Sequence, residues 1–231
     1  NMRVYGKNVV KEYLDKKDVI KKVYIYEKFN DHDILNKLMD VPHKFLSKKE
    51  LDEMESGNHQ GIILEVDDYK YTYIDDLLGD DIVVILDHLE DPHNFGAIIR
   101  TCEAAGIKSI IIPKDRSVKV NATVMKTSVG TIENVNISIV SNLVNAIKKL
   151  KDNGFWIIGT DMDGTDYRKI DYSGKIALII GNEGKGMSQI VRKNCDFIAE
   201  IPMYGNVNSL NASVAAALVI YEAVRKWIMM V

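Results

Sequence analysis

Strand-like apolar runs alternate with helical patterns along the last two thirds of the chain. Runs typical of buried strands occur at Ile82–Leu86, Ser109–Ile112, Val135–Val140, Phe155–Thr160, Ile176–Ile180 and Asp196–Ile201. Helical spacing predicts helices at Ala97–Ala105, Leu143–Leu150 and Met187–Lys193, and a long helix from Ser213. Strands that alternate with helices in this way predict an α/β domain built on a parallel sheet.

The first part of the chain has shorter elements. Its patterns predict helices at Val9–Leu14, Asp33–Met39 and Lys48–Glu55, and strands at Val23–Tyr26, His43–Leu46 and Gly61–Val66. Asp31 and Ser47 are expected to cap two of the helices, and Glu50 has the spacing of a capping box with Ser47. A polar, aperiodic stretch follows. We therefore predict a first domain at 1–67, a linker at 68–79 and a second domain at 80–231.

Composition narrows the class of protein without identifying it. With 46% apolar and 27% charged residues in 231, the chain has the make-up of an ordinary globular protein. Two cysteines and the lack of an apolar segment near the N-terminus favour a cytoplasmic protein with no membrane span and no cysteine-based metal site. The net charge of −3 lacks the basic excess of many nucleic-acid binders. Residues 1–28 do carry a local basic excess, which indicates either a basic face or a solvated helix surface.

In parallel sheets ligands bind beyond the carboxyl ends of the strands, so the loops that follow Leu86, Thr160, Ile180 and Ile201 are the candidate sites. Those after Leu86, Ile180 and Ile201 have unusual residues. After Leu86, Asn94, Gly96 and Arg100 are predicted at the junction of loop and helix. Free N–H groups at a helix start and the fork of an arginine both suit a phosphate. An ordinary capped helix with an exposed arginine explains the same pattern.

The loop after Ile180 contains three glycines within six residues, Gly181 to Gly186. This spacing indicates a backbone that approaches another group closely. It matches neither the dinucleotide fingerprint nor a P-loop, and Glu183 would repel a phosphate. We therefore expect neither a nicotinamide dehydrogenase nor a bound nucleotide pyrophosphate at this loop. A tight turn with solvated charges is the alternative.

The loop after Ile201 holds several small polar residues, among them Ser209, Asn211 and Ser213, before an alanine-rich helix. One of them would suffice to cap the helix, so the others are candidates for binding. The alanines at 215–217 allow close backbone packing against the sheet or against a second subunit.

Together the three loops resemble the three motifs of the SpoU (TrmH-like) RNA methyltransferases, in the knotted SPOUT class. The residues that carry the resemblance are Asn94-x-Gly96-x-x-x-Arg100, then Ile180-Gly181-Asn182-Glu183-Gly184-x-Gly186, and finally Ile201-Pro202-Met203 with Ser209-Leu210-Asn211-x-Ser213. The order of the three motifs along the chain, and the predicted strand before each, match the family over roughly residues 80–231. The start at Val4–Asn8 and His59-Gln60-Gly61 resemble the small ribosomal-protein-like RNA-binding domain of many family members. The subgroup most similar is the large-subunit rRNA guanosine 2′-O-methyltransferases.

The resemblance implies a C-terminal trefoil knot, S-adenosylmethionine as methyl donor, no metal, and a homodimer whose two subunits build each active site. It implies donor contacts from Thr160, Gly181, Ile201, Met203 and Leu210. The catalytic and RNA-binding set that it implies is Asn94, Arg100, Glu183, Ser209 and Asn211. The expected reaction is methyl transfer to a ribose 2′-OH of structured RNA, in which Arg100 would clamp the adjoining phosphate and stabilise the developing alkoxide.

Two other functions stay open from the sequence. The first is methylation of transfer RNA by an enzyme of the same family, since nothing in one sequence separates the two RNA classes. The second is a catalytically silent RNA-binding protein that keeps the fold. The presence of Asn94, Arg100, Glu183 and Asn211 argues against a silent protein, and donor binding would distinguish the two.

Overall fold

The computed structural model of the chain describes residues 1–228, so the last three residues of the predicted second domain, 229–231, lie outside the described part. The chain divides into two units. The first contains residues 1–70 and 120–130, and the second contains residues 71–119 and 131 onwards. No helix among the described residues is long and apolar enough to cross a membrane.

The first unit is a four-stranded sheet with helices packed on it. Its elements are β1 (Met2–Tyr5), α1 (Lys7–Tyr13), β2 (Ile20–Tyr26), α2 (His32–Leu38), β3 (His43–Leu46), α3 (Lys48–Met54) and β4 (Ile62–Val66), with a 3-10 turn at Lys17–Val19. The strand order is β1-β4-β2-β3, and only the β2–β3 pair is parallel. The predicted caps are confirmed, because Asp31 accepts from the Ile34 N–H and Ser47 and Glu50 form a capping box.

One segment from the middle of the chain also belongs to the first unit. Residues 120–130 contain a six-residue helix, α5 (Ala122–Thr127), which Asn121 caps by accepting from the Val124 N–H. Met125 and Val129 pack on the apolar core of the first unit, beside residues such as Val4 and Val10. The sequence patterns did not predict this helix, because six residues are too short to show helical periodicity.

The second unit is a six-stranded parallel sheet with helices between its strands. Its elements are β5 (Ile82–Leu86), α4 (Pro92–Ala104), β6 (Ser109–Pro113), β7 (Asn136–Val140), α6 (Leu143–Asp152), β8 (Trp156–Asp166), β9 (Ile176–Ile180), α7 (Gln189–Lys193), β10 (Phe197–Glu200) and α8 (Ala212–Ile228), with 3-10 turns at Ile74–Leu77, Ile132–Asn134 and Tyr167–Lys169. The strand order is β10-β8-β9-β5-β6-β7. The predicted parallel α/β fold is confirmed. The trefoil knot stays a prediction.

The predicted start of α4 was wrong. The helix begins at Pro92 and not at Ala97, so Asn94 and Gly96 lie within its first turns and not at a loop junction. Asp91 caps the helix by accepting from the His93 N–H at 2.8 Å. A proline at the first helical position loses nothing, because its missing N–H would have had no partner there.

Candidate active site

A cavity of about 310 Å³ opens at the carboxyl ends of β8, β9 and β10. Its walls are the segments that follow these three strands, together with the start of α8. The lining residues are Thr160, Asp161, Met162, Ile180, Gly181, Asn182, Glu183, Gly184, Lys185, Gly186, Ala199, Glu200, Ile201, Met203, Asn208, Ser209, Leu210, Ala212 and Ala215. The volume is in the range of small-molecule sites, which are commonly found at this edge of a parallel sheet.

The glycine-rich loop folds tightly back on itself. The backbones of Asn182 and Gly186 exchange two hydrogen bonds of 2.9 Å, and Gly186 has a φ of +68°. A β-carbon at Gly181 would lie 2.6 Å from the Gly186 carbonyl carbon and from the Met187 nitrogen. Glycine at 181 is therefore required by the loop itself, which brings bare backbone to the cavity wall.

Two side chains join this loop to the segment before α4. The Glu183 carboxylate accepts from the Asp91 N–H at 2.8 Å and from the Glu90 N–H at 3.1 Å. The Asn182 side-chain amide donates to the His88 carbonyl at 2.7 Å. Glu183 therefore acts in this chain as a support that fixes the loop against the start of α4.

The loop after β10 enters α8 through a capping arrangement. Asn211 accepts from the Ser213 N–H at 2.9 Å and from the Ser213 hydroxyl at 2.6 Å. Ser209 and Leu210, directly before it, line the cavity. Asn211 thus performs the capping role that the sequence left open for one of these residues, while Ser209 remains available to a ligand.

The structure brings together all five residues for which the resemblance implied donor contacts. Thr160, Gly181, Ile201, Met203 and Leu210 all line the one cavity, and the Thr160 hydroxyl donates to the Ile179 carbonyl at 2.6 Å.

The residues of the predicted catalytic set are more dispersed. Glu183 and Ser209 line the cavity, whereas Asn94, Arg100 and Asn211 are not among its lining residues. Asn94 is buried in α4 with 6% of its surface exposed, and Arg100 lies on the exposed face of the same helix.

Sequence reasoning missed two acidic residues of the cavity wall, Asp161 and Glu200. Asp161 directly follows Thr160 at the end of the regular part of β8, so its position beside a predicted donor residue was the available signal.

Cys195 lies nearby against Met187, and burial raises the pKa of its thiol to about 12. It therefore stays protonated and is a poor nucleophile. Among residues 1–228, no group of three His, Cys, Asp or Glu side chains could hold a metal ion.

An apolar stripe lies along α8, outside the cavity. Val214, Leu218 and Tyr221 are 48%, 38% and 49% exposed, and their spacing of four and three residues places them on one helix face. Together with Ala97 and Thr101 of α4, they border a shallow groove.

Comparisons with known proteins identify the family. The SpoU rRNA Methylase family matches residues 81–221, and the family described as RNA 2′-O ribose methyltransferase substrate binding matches residues 3–72. A Staphylococcus aureus protein assigned to the TrmH family of tRNA/rRNA methyltransferases is 43% identical over 96% of this chain and 95% of its own length. The chain belongs to the SpoU rRNA methylase family. It is therefore an RNA methyltransferase, with a substrate-binding region of that family in front.

Two solved structures resemble the whole chain. The SpoU methyltransferase AviRb from Streptomyces viridochromogenes, in complex with the cofactor AdoMet, superposes with a TM-score of 0.82 at 23% identity, over 98% of this chain and 90% of that one. An AdoMet-bound rRNA methyltransferase from Sinorhizobium meliloti gives a TM-score of 0.80 at 25% identity, over 97% and 87% of the two chains. The first likeness establishes the SpoU fold alone.

Proposed function

We propose that this SpoU family member transfers a methyl group from S-adenosylmethionine to a ribose 2′-OH of ribosomal RNA, specifically a guanosine of the large-subunit (23S) RNA. The observation that carries the proposal is one cavity that residues of both the second and the third motif line, namely Gly181, Glu183, Ile201, Met203, Ser209 and Leu210. The first unit, which includes the region matched as substrate binding, would hold the RNA.

The cavity suits this donor. Ile180, Ile201 and Leu210 supply apolar walls for an adenine, and the bare backbone at Gly181 supplies hydrogen-bonding groups. Three carboxylates, those of Asp161, Glu183 and Glu200, outnumber the one ammonium of Lys185 in the lining. An excess of negative charge favours a donor that carries a cationic sulfonium.

S-adenosylmethionine would supply a methyl group on a sulfonium and leave as the neutral thioether S-adenosylhomocysteine. The ribose 2′-OH is a weak nucleophile that must be aligned with the methyl carbon, and its proton would pass to solvent water as the carbon–oxygen bond forms. Ser209, which lines the cavity, would orient the ribose by hydrogen bonding. The Arg100 guanidinium would bind the adjoining phosphate and stabilise the negative charge that develops on the 2′-oxygen. Asn94, which is buried in α4, and Asn211, which caps α8, would orient Arg100 and the ribose.

Donor binding is the direct test. Titration calorimetry of the intact chain is expected to detect S-adenosylmethionine and its demethylated product, S-adenosylhomocysteine, in the presence of a metal chelator. Mass mapping of ribose methylation on ribosomal RNA and on transfer RNA then identifies the substrate class. Methylation of transfer RNA alone would replace the ribosomal substrate with the second candidate. If no donor binding is detected at millimolar ligand, the remaining hypothesis is a catalytically silent RNA-binding protein.

We also propose that the enzyme is a homodimer with shared active sites. Arg100 lies outside the cavity of its own chain, so a second subunit is the simplest source of an arginine for each cavity. The apolar stripe of Val214, Leu218 and Tyr221 is the surface that such a partner would cover.

Sedimentation at micromolar concentration is expected to give twice the 26.1 kDa chain mass. Leu218→Glu places a charge in the stripe and is expected to yield a monomer without methyl transfer. Ile190→Glu is the matched control, because Ile190 is exposed on α7 and lies outside the stripe. A fully active monomeric wild type would refute shared sites.

A further inference from the structure

We propose that Arg192 is a positioning residue that shapes the donor cavity by holding the loop at residues 160–164. The inference rests on the proposed donor. It is independent of the three sequence motifs, none of which contains Arg192. The residue lies on α7, behind the cavity wall, and is not among the cavity-lining residues.

The loop is an interruption in the pairing of β8 with β10. Ile198 pairs with Gly159, but the next residue, Ala199, pairs with Thr165, so residues 160–164 are looped out of the ladder. The first three of these residues, Thr160, Asp161 and Met162, line the cavity. The conformation of this loop therefore decides the shape of one cavity wall.

The Arg192 guanidinium contacts three consecutive residues of the loop. It donates to the Asp161 carboxylate at 2.7 Å, to the Met162 carbonyl at 3.0 Å and to the Asp163 carbonyl at 3.3 Å. The ion pair with Asp161 is partly buried, with 30% and 23% of the two side chains exposed. These three hydrogen bonds come from the two terminal nitrogens of one planar guanidinium, and they fix both a side chain and the backbone of the loop.

The loop needs such support because its backbone is strained. Asp163 has a φ of +56°, in the left-handed region that costs a non-glycine residue free energy. At Gly164, a β-carbon would lie 2.5 Å from the Ile198 carbonyl oxygen, so the chain passes very close to β10. From that side the Glu200 carboxylate accepts from the Gly164 N–H at 3.1 Å. A strained segment keeps one conformation only when its surroundings hold it there.

A purely electrostatic role for Arg192 predicts that the affinities for S-adenosylmethionine and for its demethylated product change differently when Arg192 is removed. Removing its positive charge would leave Asp161 uncompensated, and a more negative cavity would favour cationic S-adenosylmethionine over the product, which lacks the sulfonium charge. A positioning role instead predicts that both ligands lose affinity together, because both use the same cavity wall. Comparing the two ligands therefore separates shape from charge.

The experiment measures affinity for S-adenosylmethionine and for S-adenosylhomocysteine by calorimetry on the intact chain. Arg192→Ala is expected to weaken both roughly tenfold or more, the effect of one lost charge-assisted hydrogen bond. The KM for the donor should rise in parallel, with kcat at saturating donor unchanged, because Arg192 does not touch the reacting atoms. Lys193→Ala removes the same charge from an exposed position of the same helix and should leave both affinities unchanged.

Arg192→Lys keeps the charge within reach of Asp161 but cannot bind both carbonyls as the planar fork does, so an intermediate loss is expected. This variant also tests the proposal if Arg192→Ala fails to fold. The positioning role would be overturned if Arg192→Lys bound both ligands with wild-type affinity. It would also be overturned if Arg192→Ala bound S-adenosylhomocysteine as tightly as the wild type does. If the wild type binds neither ligand, the proposed donor is wrong; if the wild type binds and Arg192→Ala binds equally well, only this inference is wrong.

Discussion

Gly181→Ala is expected to weaken donor binding about a hundredfold, because forcing a methyl group into closely packed surroundings costs on the order of 1–3 kcal/mol and each ~1.4 kcal/mol is tenfold in affinity. The new methyl group would lie 2.6 Å from two backbone atoms of the same loop, those of Gly186 and Met187. Backbone cannot move aside as a flexible side chain does. The Asn182–Gly186 hydrogen bonds would have to open, and the cavity wall would move with them.

The matched control is Gly205→Ala, in the loop that follows β10 but outside the lining of the cavity. A β-carbon there would meet no atom of residues 1–228 within 4 Å. Calorimetry with S-adenosylhomocysteine should show near wild-type affinity for this control, and thermal unfolding should show both variants folded. Equal affinity of Gly181→Ala and wild type would mean that the cavity of this loop is not where the donor binds.

Arg100→Ala is expected to lower single-turnover methyl transfer about a hundredfold or more, the usual loss when a donor to developing negative charge is removed. Arg100 is exposed on α4, so the same substitution should change the free energy of unfolding by less than ~0.5 kcal/mol. Affinity for S-adenosylmethionine should stay near wild type, because the proposed role of Arg100 is to face the ribose and phosphate of the RNA and not the sulfonium of the donor.

Arg100→Lys separates charge from geometry. Lysine keeps the positive charge and loses the planar fork, so only a small part of the rate should return. Lys108→Ala removes an exposed positive charge just beyond the same helix and should leave the rate unchanged. Full activity of the lysine variant, or loss of donor binding in a folded Arg100→Ala, would assign Arg100 a different role.

Most of the elements, and the region of the candidate site, could be predicted from the sequence, because the signals for both are local. The apolar run at 176–180 and the capping box of Ser47 and Glu50 involve residues within one strand or one turn. The loops that line the cavity could be selected because all three follow predicted strands of a parallel sheet, and the two after Ile180 and Ile201 carry unusual residues. The motif resemblance then supplied the family, which the matches to known proteins established.

The errors near α4 had a local cause as well. Asp91 and Pro92 are a recognisable helix start, but the apolar periodicity becomes clear only at Ala97, and the prediction followed the periodicity. A helix that begins at Pro92 contains Asn94 in its first turn, where the side chain is buried and does not lie in a loop. The start of α4 is therefore encoded locally, by the capping residue Asp91 and by Pro92, although the apolar periodicity does not show it.

Other features were decided only by the tertiary structure. The helix at 122–127 packs with residues far away in the chain, and six residues have too little periodicity to reveal which surface they cover. The looped-out segment of β8 and its support by Arg192 join positions about thirty residues apart, and no spacing rule within a helix or strand connects them. Local patterns determine which elements form, because propensity and periodicity act over a few residues. The cavity wall depends on which distant side chains meet, and only the packed chain settles that.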